Sequence, residues 1–257
     1  MAPQNTDRDT ETAATPSSLD PEEVRRFAEL AEEWWDPDGP FKPLHRINPV
    51  RLAYIRDRLC EAFGRDPAAA RSLEGLRILD IGCGGGLVCE PLTRLGATVM
   101  GIDPAEETVA VARTHAEGAG LDVTYEATTA EALLARGMNF DAVLALEVVE
   151  HVENVPAFVA TVAGLAKPGG AVVFSTINRT MKSYALAIVA AEYILRWVPA
   201  GTHQWDRFVT PGELIGAFRQ SGLTPTGETG LIYNPITDEW RLGKDTDVNY
   251  FAAAKRR

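Results

Sequence analysis

The chain has 257 residues, 46% of them hydrophobic, which is enough to form one α/β domain with appendages. Its formal net charge of −11 argues against a nucleic-acid partner and against a general attraction to anionic membranes. The three cysteines, Cys60, Cys83 and Cys89, form no C-x-x-C pair, which argues against a disulfide framework or a structural zinc site and predicts a reducing compartment, the cytoplasm.

The N-terminal part of the chain divides into a tail and a helical extension. Residues 1–20 contain four acids, one arginine and no apolar run, a composition typical of neither a secretory signal nor a transit peptide. We expect them to form a disordered tail. Apolar residues recur at helical spacing from Val24 to Ala31 and predict a helix over Pro21–Ala31. This helix would begin an extension that runs to about residue 74.

From Arg77 onward, short apolar runs alternate with helical segments. The runs are RILDI, ATVMGI, DVTYE, FDAVLAL and AVVFSTI. Pro104 favours the start of a helix after the second run, and the KPGG segment at 167–170 predicts a turn from a helix into the fifth strand. The alternation predicts a parallel sheet that is covered on both faces.

A glycine-rich loop follows the first predicted strand. Its spacing, Gly82-x-Gly84-x-Gly86, departs from the G-x-G-x-x-G pattern of dinucleotide-binding loops. Asp80, just before the loop, suits an ammonium and sulfonium ligand better than a pyrophosphate, and Asp103, at the end of the next strand, suits the two hydroxyls of a ribose. These residues point to S-adenosylmethionine. The alternatives are a nicotinamide dinucleotide or a tight turn in which Asp80 only caps the following helix.

This loop, together with the strands and helices around it, resembles the class I S-adenosylmethionine-dependent methyltransferases. The resemblance implies a Rossmann-like α/β fold with a seven-stranded, mostly parallel sheet whose last strand is antiparallel. The segment DVNYFAAAKR, near the C-terminus, is placed to be that strand. The methyltransferase domain would cover residues 75–257, with an insertion at about 178–208.

Four longer segments are similar to the O-methyltransferases of ubiquinone biosynthesis. They are residues 34–55, 146–152, 174–203 and 233–250. The resemblance implies methyl transfer from S-adenosylmethionine to hydroxyls of polyprenylated catechol or quinol intermediates, at two steps, in contact with other ubiquinone biosynthesis proteins. Two alternatives stay open: a methyltransferase for another small phenol, and a cofactor-binding scaffold of a biosynthetic complex without turnover.

The same resemblance assigns cofactor contacts. Arg51, Gly82, Asp103 and Leu146 match cofactor-contacting positions of the family, and Asp80, Gly84 and Gly86 belong to the same loop region. Arg51 is expected to hold the methionine carboxylate through a bidentate pair. Leu146 stands where relatives can carry methionine, and either residue supplies an apolar wall.

The extension is rich in aromatic residues. Trp34, Trp35 and Phe41 suit either core packing against the N-terminal helix or a lid over the cofactor and the quinone head. The resemblance favours the lid.

Three polar residues follow the fourth predicted strand, whose carboxyl end lies at the ligand edge of this class of sheet. Glu147, Glu150 and His151 are spaced i, i+3, i+4, so one helical turn would place them on one face. A phenol with a pKa near 10 needs a base or a metal to form the nucleophile. By resemblance to mitochondrial counterparts, the three would bind magnesium or zinc. Without a metal, His151 is the general base, with Glu147 beside it.

The segment Ser183–Val198 is apolar except for Glu192 and Arg196. It suits either a buried core helix or a helix lying in a membrane interface, since its 16 residues are too few to span a bilayer. The interfacial interpretation predicts a cytoplasmic protein associated peripherally with the inner face of the cytoplasmic membrane, where a polyprenylated substrate resides.

Overall fold

The computed structural model describes residue 25 and residues 30–185, 205–234 and 237–257. The expected tail 1–20, most of the helix expected over Pro21–Ala31 and most of the segment Ser183–Val198 lie outside the described residues. Inside them, Arg25 is helical and a 3-10 turn occupies Ala31–Glu33.

The described part of the chain contains one sheet with eight strands. They are β1 Arg77–Ile81, β2 Thr98–Asp103, β3 Thr124–Ala127, β4 Phe140–Leu146, β5 Ala166–Ile177, β6 Leu223–Asn234, β7 Glu239–Gly243 and β8 Asn249–Arg256. Their spatial order is β3-β2-β1-β4-β5-β8-β6-β7. Strands β1 to β5 are parallel to one another, and β8 is antiparallel to β5 and β6.

The mostly parallel sheet with an antiparallel last strand is therefore confirmed. The strand count differs from seven because β7 forms a hairpin with β6 at the sheet edge. The KPGG segment also differs from expectation. It lies inside β5, where the pairing with β4 shifts register between Phe140 and Ala142, and Gly169 has a φ of 75°. This segment is an irregular strand start rather than a separate turn.

Helices cover both faces of the sheet, as the apolar runs predict. The six longer ones are α1 Lys42–Phe63, α2 Cys89–Arg94, α3 Glu106–Gly118, α4 Ala130–Ala135, α5 Val155–Leu165 and α6 Pro211–Gln220. Buried side chains of α4, α5 and α6 form one cluster with the sheet, and those of α1, α2 and α3 form a second. The central strands are buried on both faces, which explains their continuous apolar sequences.

Helix α1 joins the N-terminal extension to the sheet. Pro43 occupies its first turn, where a missing N–H costs nothing, and the helix ends at Gly64 with a left-handed φ of 64°. Its buried side chains, among them Ile55 and Leu59, belong to the same cluster as the strands. The helix is thus fixed to the sheet and holds Arg51 in a buried position. The division of domains near residue 74 stays a prediction.

The strand order reverses between β1 and β4. The chain moves from β1 outward to β2 and β3, then returns to β4 on the opposite side of β1. In open parallel sheets such a reversal leaves a crevice at the carboxyl ends of the two strands, where ligands bind. The loop after β1 and the turn after β4 both begin at this crevice.

Candidate active site

The loop after β1 has a backbone that only glycine adopts easily. Gly82, Gly84 and Gly86 have φ values of 69°, 52° and 91°. A methyl group on Gly82 would lie 2.5 Å from Cγ2 of Val148, and one on Gly86 would collide with the Tyr125 hydroxyl. The N–H of Gly82 donates to the carbonyl of Ile102 at 2.8 Å, which ties the loop to the end of β2. The glycines are therefore required both by conformation and by close packing.

Aromatic residues of the N-terminal extension lie directly on this loop. Trp34 is buried against Gly84 and Gly85 and stacks on Phe41, with ring centroids 3.9 Å apart. The indole N–H of Trp35 donates to the Gly85 carbonyl at 2.9 Å. The aromatic segment, which contains Trp34, Trp35 and Phe41, is thus packed as tightly as a protein core. It occupies the position that a lid over the loop would take. Its function as a lid stays a prediction.

A buried carboxylate next to this segment was not predicted. Glu90 is completely buried and bonds to Nη2 of Arg94 at 3.2 Å and to Nδ1 of His115 at 2.5 Å. The ring of Trp35 stacks on His115, with centroids 3.4 Å apart. Neither spacing nor composition pairs residues so far apart in sequence, so only the fold reveals this contact.

Asp103 ends β2 and closes the loop from the other side. Its Oδ2 accepts the Gly84 N–H at 3.3 Å, and its Oδ1 accepts the Ala105 N–H at 3.0 Å. Burial raises the pKa of this carboxyl, and the two backbone amides oppose that effect. Asp103 therefore sits at the ligand edge, as predicted, with each carboxylate oxygen oriented by one amide.

Asp80 is enclosed one residue before the end of β1. It is 2% exposed, and its Oδ2 accepts from the thiol of Cys89 at 3.3 Å. Burial raises the pKa of Asp80 to about 7, while the Cys89 hydrogen bond and the charge of Arg51 act to lower it. The carboxyl lies deeper than the loop, and its contact with a cationic ligand stays a prediction.

Arg51 and Glu147 meet across the crevice. Nη2 of Arg51 lies 3.5 Å from Oε1 of Glu147, and the same oxygen accepts from the hydroxyl of Ser175 at 2.8 Å. Nε of Arg51 is buried and has no hydrogen-bond partner among the described residues. Glu147 has a φ of 54°, a left-handed conformation that is strained for a non-glycine residue. Leu146, just before it, is the buried last residue of β4.

The helical turn expected to align Glu147, Glu150 and His151 is wrong. A 3-10 turn spans only Val149–His151, and the left-handed Glu147 precedes it. Glu150 points into the fold and accepts from the Thr176 hydroxyl at 2.8 Å. Burial raises the pKa of Glu150 to about 7; the charge of Glu147 also raises it and that of His151 lowers it. The three residues are neighbours, but they do not share one helical face.

Among the residues that the structure describes, no group of three or more His, Cys, Asp or Glu side chains is arranged to hold a metal ion. Glu147 and Glu150 instead accept hydrogen bonds from hydroxyls on separate residues of β5, Ser175 and Thr176. These residues therefore do not fit the expected magnesium or zinc site.

Sequence reasoning missed Ser175 and Thr176. Both are fully or almost fully buried polar residues near the carboxyl end of β5, inside the apolar run AVVFSTI. Two consecutive hydroxyls in a buried strand near the ligand edge are a signal that could have identified them.

Comparison with known proteins gives consistent results. A family model described as a methyltransferase domain matches residues 51–227. The chain is 55% identical over 245 residues to the ubiquinone biosynthesis O-methyltransferase of Rhizobium etli, which covers 95% of this chain and 99% of that protein. It is 56% identical over 245 residues to the protein of that name from Rhizobium leguminosarum bv. trifolii, with coverages of 95% and 97%.

Among solved structures, magnesium protoporphyrin IX methyltransferase from Synechocystis, with bound S-adenosylmethionine, is similar with a TM-score of 0.61. The alignment covers 95% of this chain and 100% of that chain at 19% sequence identity, which shows a shared fold.

The glycine loop makes a direct stability prediction. Gly86→Ala should lower the free energy of unfolding by about 2–5 kcal/mol, because the left-handed φ and the collision with the Tyr125 hydroxyl both oppose a side chain. In a Tyr125→Phe background the same substitution should cost about 1–3 kcal/mol less, since the hydroxyl is gone.

Chemical denaturation of the four proteins measures this cycle. Gly118→Ala, at a helical glycine with open space around it, is the matched control and should be close to neutral or stabilising. An equal effect of Gly86→Ala and Gly118→Ala would contradict the account of the loop.

Proposed function

This chain belongs to the family of ubiquinone biosynthesis O-methyltransferases, and from that membership we propose that it transfers methyl groups from S-adenosylmethionine to hydroxyls of polyprenylated catechol or quinol intermediates. The proposal includes both O-methylation steps of ubiquinone synthesis. The observation that carries it is the identity of about 55% over nearly the whole chain, combined with a glycine loop, Asp103 and Arg51 at one sheet edge.

The residues at the crevice fit S-adenosylmethionine. Nε of Arg51 is a buried donor without a partner among the described residues, and it could donate to the methionine carboxylate. Asp103 is oriented by two backbone amides and retains lone pairs for the ribose hydroxyls. Gly82, Gly84 and Gly86 would hold the loop beside the ligand in the left-handed conformations that they adopt here, and Leu146 would form an apolar wall. Asp80 would complement the cationic end of the methionine moiety.

When bound, the cofactor supplies a methyl group that its sulfonium has already activated. The protein must then orient an acceptor oxygen and remove its proton. Orientation of two reactants in one site is worth roughly 7–11 kcal/mol of barrier, and ionising a phenol of pKa near 10 at pH 7 costs roughly 4 kcal/mol. We assign the removal of this proton to His151, which follows β4 at the ligand edge. We assign the orientation of the acceptor hydroxyls to Glu147.

Peripheral membrane association is a second part of the proposal. No helix among the described residues is long and apolar enough to cross a membrane. Met181, Tyr184 and Trp205 are large apolar side chains with 74%, 43% and 36% exposure, and they flank the span 186–204. Since this group follows β5 at the ligand edge, it would bring the site to the bilayer in which a polyprenyl chain resides. Contact with other ubiquinone biosynthesis proteins at the membrane belongs to the same proposal.

The proposed roles of Arg51 and Asp103 in cofactor binding can be distinguished by comparing the affinities of two ligands. Arg51→Lys should weaken S-adenosylmethionine about tenfold or more, because lysine cannot pair with a carboxylate through two parallel hydrogen bonds. It should leave 5′-methylthioadenosine unaffected, because that ligand has no carboxylate. Asp103→Ala should weaken both ligands, because both carry the ribose hydroxyls.

Isothermal titration calorimetry on proteins with unchanged circular dichroism measures these affinities. Unchanged binding of S-adenosylmethionine by Asp103→Ala would remove the ribose assignment. Equal losses for both ligands in Arg51→Lys would remove the carboxylate assignment.

The base assignment makes a kinetic prediction. His151→Ala should lower kcat for a catechol acceptor by roughly 100- to 10,000-fold with unchanged S-adenosylmethionine affinity, because proton removal is lost. The loss should be much smaller for a nitrocatechol, which is more acidic and already ionised. Treatment with EDTA should leave the wild-type rate unchanged.

A rate that EDTA abolishes and that magnesium or zinc restores would contradict the base assignment. It would instead indicate that Glu147, Glu150 and His151 bind a metal ion. Equal rate losses for both acceptors in His151→Ala would show that His151 positions the acceptor instead of removing its proton.

The membrane proposal predicts that a charge placed among the exposed apolar residues around Met181 weakens vesicle binding, and that a charge elsewhere on the surface does not. Met181→Glu should lower cosedimentation with phosphatidylcholine vesicles about tenfold, since it replaces apolar contact by a charge. Leu134→Glu is the matched control. Leu134 is 37% exposed near the end of α4, which leads to the start of β4 at the opposite edge of the sheet. Equal binding by the two variants would contradict the proposal. Leu186 and Ile188, which the interfacial segment also places at the membrane, lie outside the described residues.

A further inference from the structure

The β6–β7 hairpin rises beyond the ligand edge of the sheet. Ile177, the last residue of β5, is level with Asn249, and Asn249 is level with Leu231 of β6. Strand β6 continues for three more residues to Asn234, paired with Glu239–Arg241 of β7. At about 3.4 Å per residue, the hairpin extends about 10 Å past the end of β5.

A pocket of 580 Å³ lies between this hairpin and the start of α1. This volume is within the range of small-molecule sites, about 300–1,000 Å³. Its lining combines the charged residues Asp38, Lys42 and Arg46 with the rings of Pro40, Pro43, Tyr233 and Trp240.

The charged groups of this pocket already have partners. Lys42 Nζ lies 2.7 Å from Oδ1 of Asp38, and Arg46 forms an ion pair with Asp238. The Tyr233 hydroxyl donates to Asp238 at 2.7 Å. With their charges balanced by acidic partners, Lys42 and Arg46 can also offer their methylene stems to a ligand.

The remaining surface of the pocket is apolar. The rings of Tyr233 and Trp240 lie with centroids 5.1 Å apart, and the rings of Pro40, just before α1, and Pro43, in its first turn, also line the pocket. A ligand that fits this surface is uncharged, apolar and narrow enough to pass between the hairpin and the helix. An aliphatic chain satisfies these conditions, and an anionic head group does not.

Helix α1 connects the pocket with the candidate active site. Arg46 borders the pocket and Arg51 contacts Glu147, so the two lie about 7.5 Å apart along the helix axis and about 140° apart around it. Phe41, between the lining residues Pro40 and Lys42, stacks on Trp34, which covers the glycine loop. An aromatic acceptor that reacts beside Glu147, and whose ring carries a chain ortho to a hydroxyl, could place that chain along α1.

We propose that this pocket binds the first isoprene units of the acceptor's prenyl chain and thereby selects prenylated over unprenylated acceptors. The proposal rests on the proposed function for the identity of the acceptor. It assigns Trp240 and Tyr233 as specificity-determining residues, in contact with the chain and distant from the reacting oxygen.

Binding of unreactive ligands tests the pocket independently of catalysis. The probes are 1,2-dimethoxybenzene and its farnesylated derivative, which have no hydroxyl to methylate. By calorimetry the wild-type protein should prefer the farnesylated ether. Trp240→Ala should weaken that ligand on the order of tenfold to a hundredfold and leave the unprenylated ether unchanged. Trp240→Phe should retain most of the preference.

Arg241→Ala, at an exposed position on the neighbouring residue of the same strand, is the matched control and should have no effect. If Trp240→Ala fails to fold, Tyr233→Ala compared with Tyr233→Phe makes the same test. Equal binding of the two ethers by the wild-type protein would overturn the proposal. Equal losses of affinity for both ethers in Trp240→Ala would also overturn it, because they would show that the pocket binds the aromatic ring of the acceptor.

Methyl transfer separates this inference from the proposed function. With farnesylated and unprenylated catechol, Trp240→Ala should raise KM for the former only, with unchanged kcat for the latter. If the wild-type protein methylates neither catechol, the proposed function fails, and the two ethers still decide whether the pocket recognises a prenyl chain.

Discussion

The arrangement of the site depends on a glycine loop whose residues have no room for side chains of their own. Between residues 82 and 86 the chain takes three left-handed conformations within five residues. Side chains from three separate elements fill the space that these glycines leave: Val148 after β4, Trp34 from the N-terminal extension and Tyr125 from β3. The turn after β4, the aromatic segment and the sheet are therefore held in one relation by contact with the loop. Larger residues in the loop would move all three.

The site also retains carboxyl groups where burial opposes their charge. Asp80 and Glu150 both have pKa values raised to about 7, chiefly by burial. In the unfolded chain such groups ionise near pH 4, so between about pH 4 and pH 7 the folded state holds protons that the unfolded state has released. These two groups therefore reduce stability as pH rises through that range. A cationic ligand beside Asp80 would favour its ionised form, so the unfavourable burial in the free protein becomes affinity in the complex.

Sequence patterns predicted the features that depend on local chemistry. Apolar runs identified the central strands, because strands buried on both faces need continuous apolar residues. Glycine spacing located the left-handed loop after β1, because each of these backbone conformations is local. Contacts between segments that are distant in sequence could not be predicted from these patterns. The pairing of Glu90 with His115 and of Ser175 with Glu147 joins residues 25 and 28 positions apart, and β7 pairs only at an edge, where alternation is weak.

Glu147 shows why the i, i+3, i+4 spacing was misleading. A left-handed conformation costs a non-glycine residue roughly 1–3 kcal/mol, so it persists only when the surrounding structure holds it. Here the Ser175 hydroxyl and the Arg51 guanidinium approach the same carboxylate oxygen, and the Glu147 N–H donates to the Ser175 carbonyl at 2.9 Å. These contacts hold Glu147 outside the helical conformation that the i, i+3, i+4 spacing predicts. The carboxylate is consequently positioned by β5 and α1 instead of by its own turn. If Glu147 orients the acceptor hydroxyls, as we propose, its attachment to two distant elements would limit the movement of the carboxylate relative to the site.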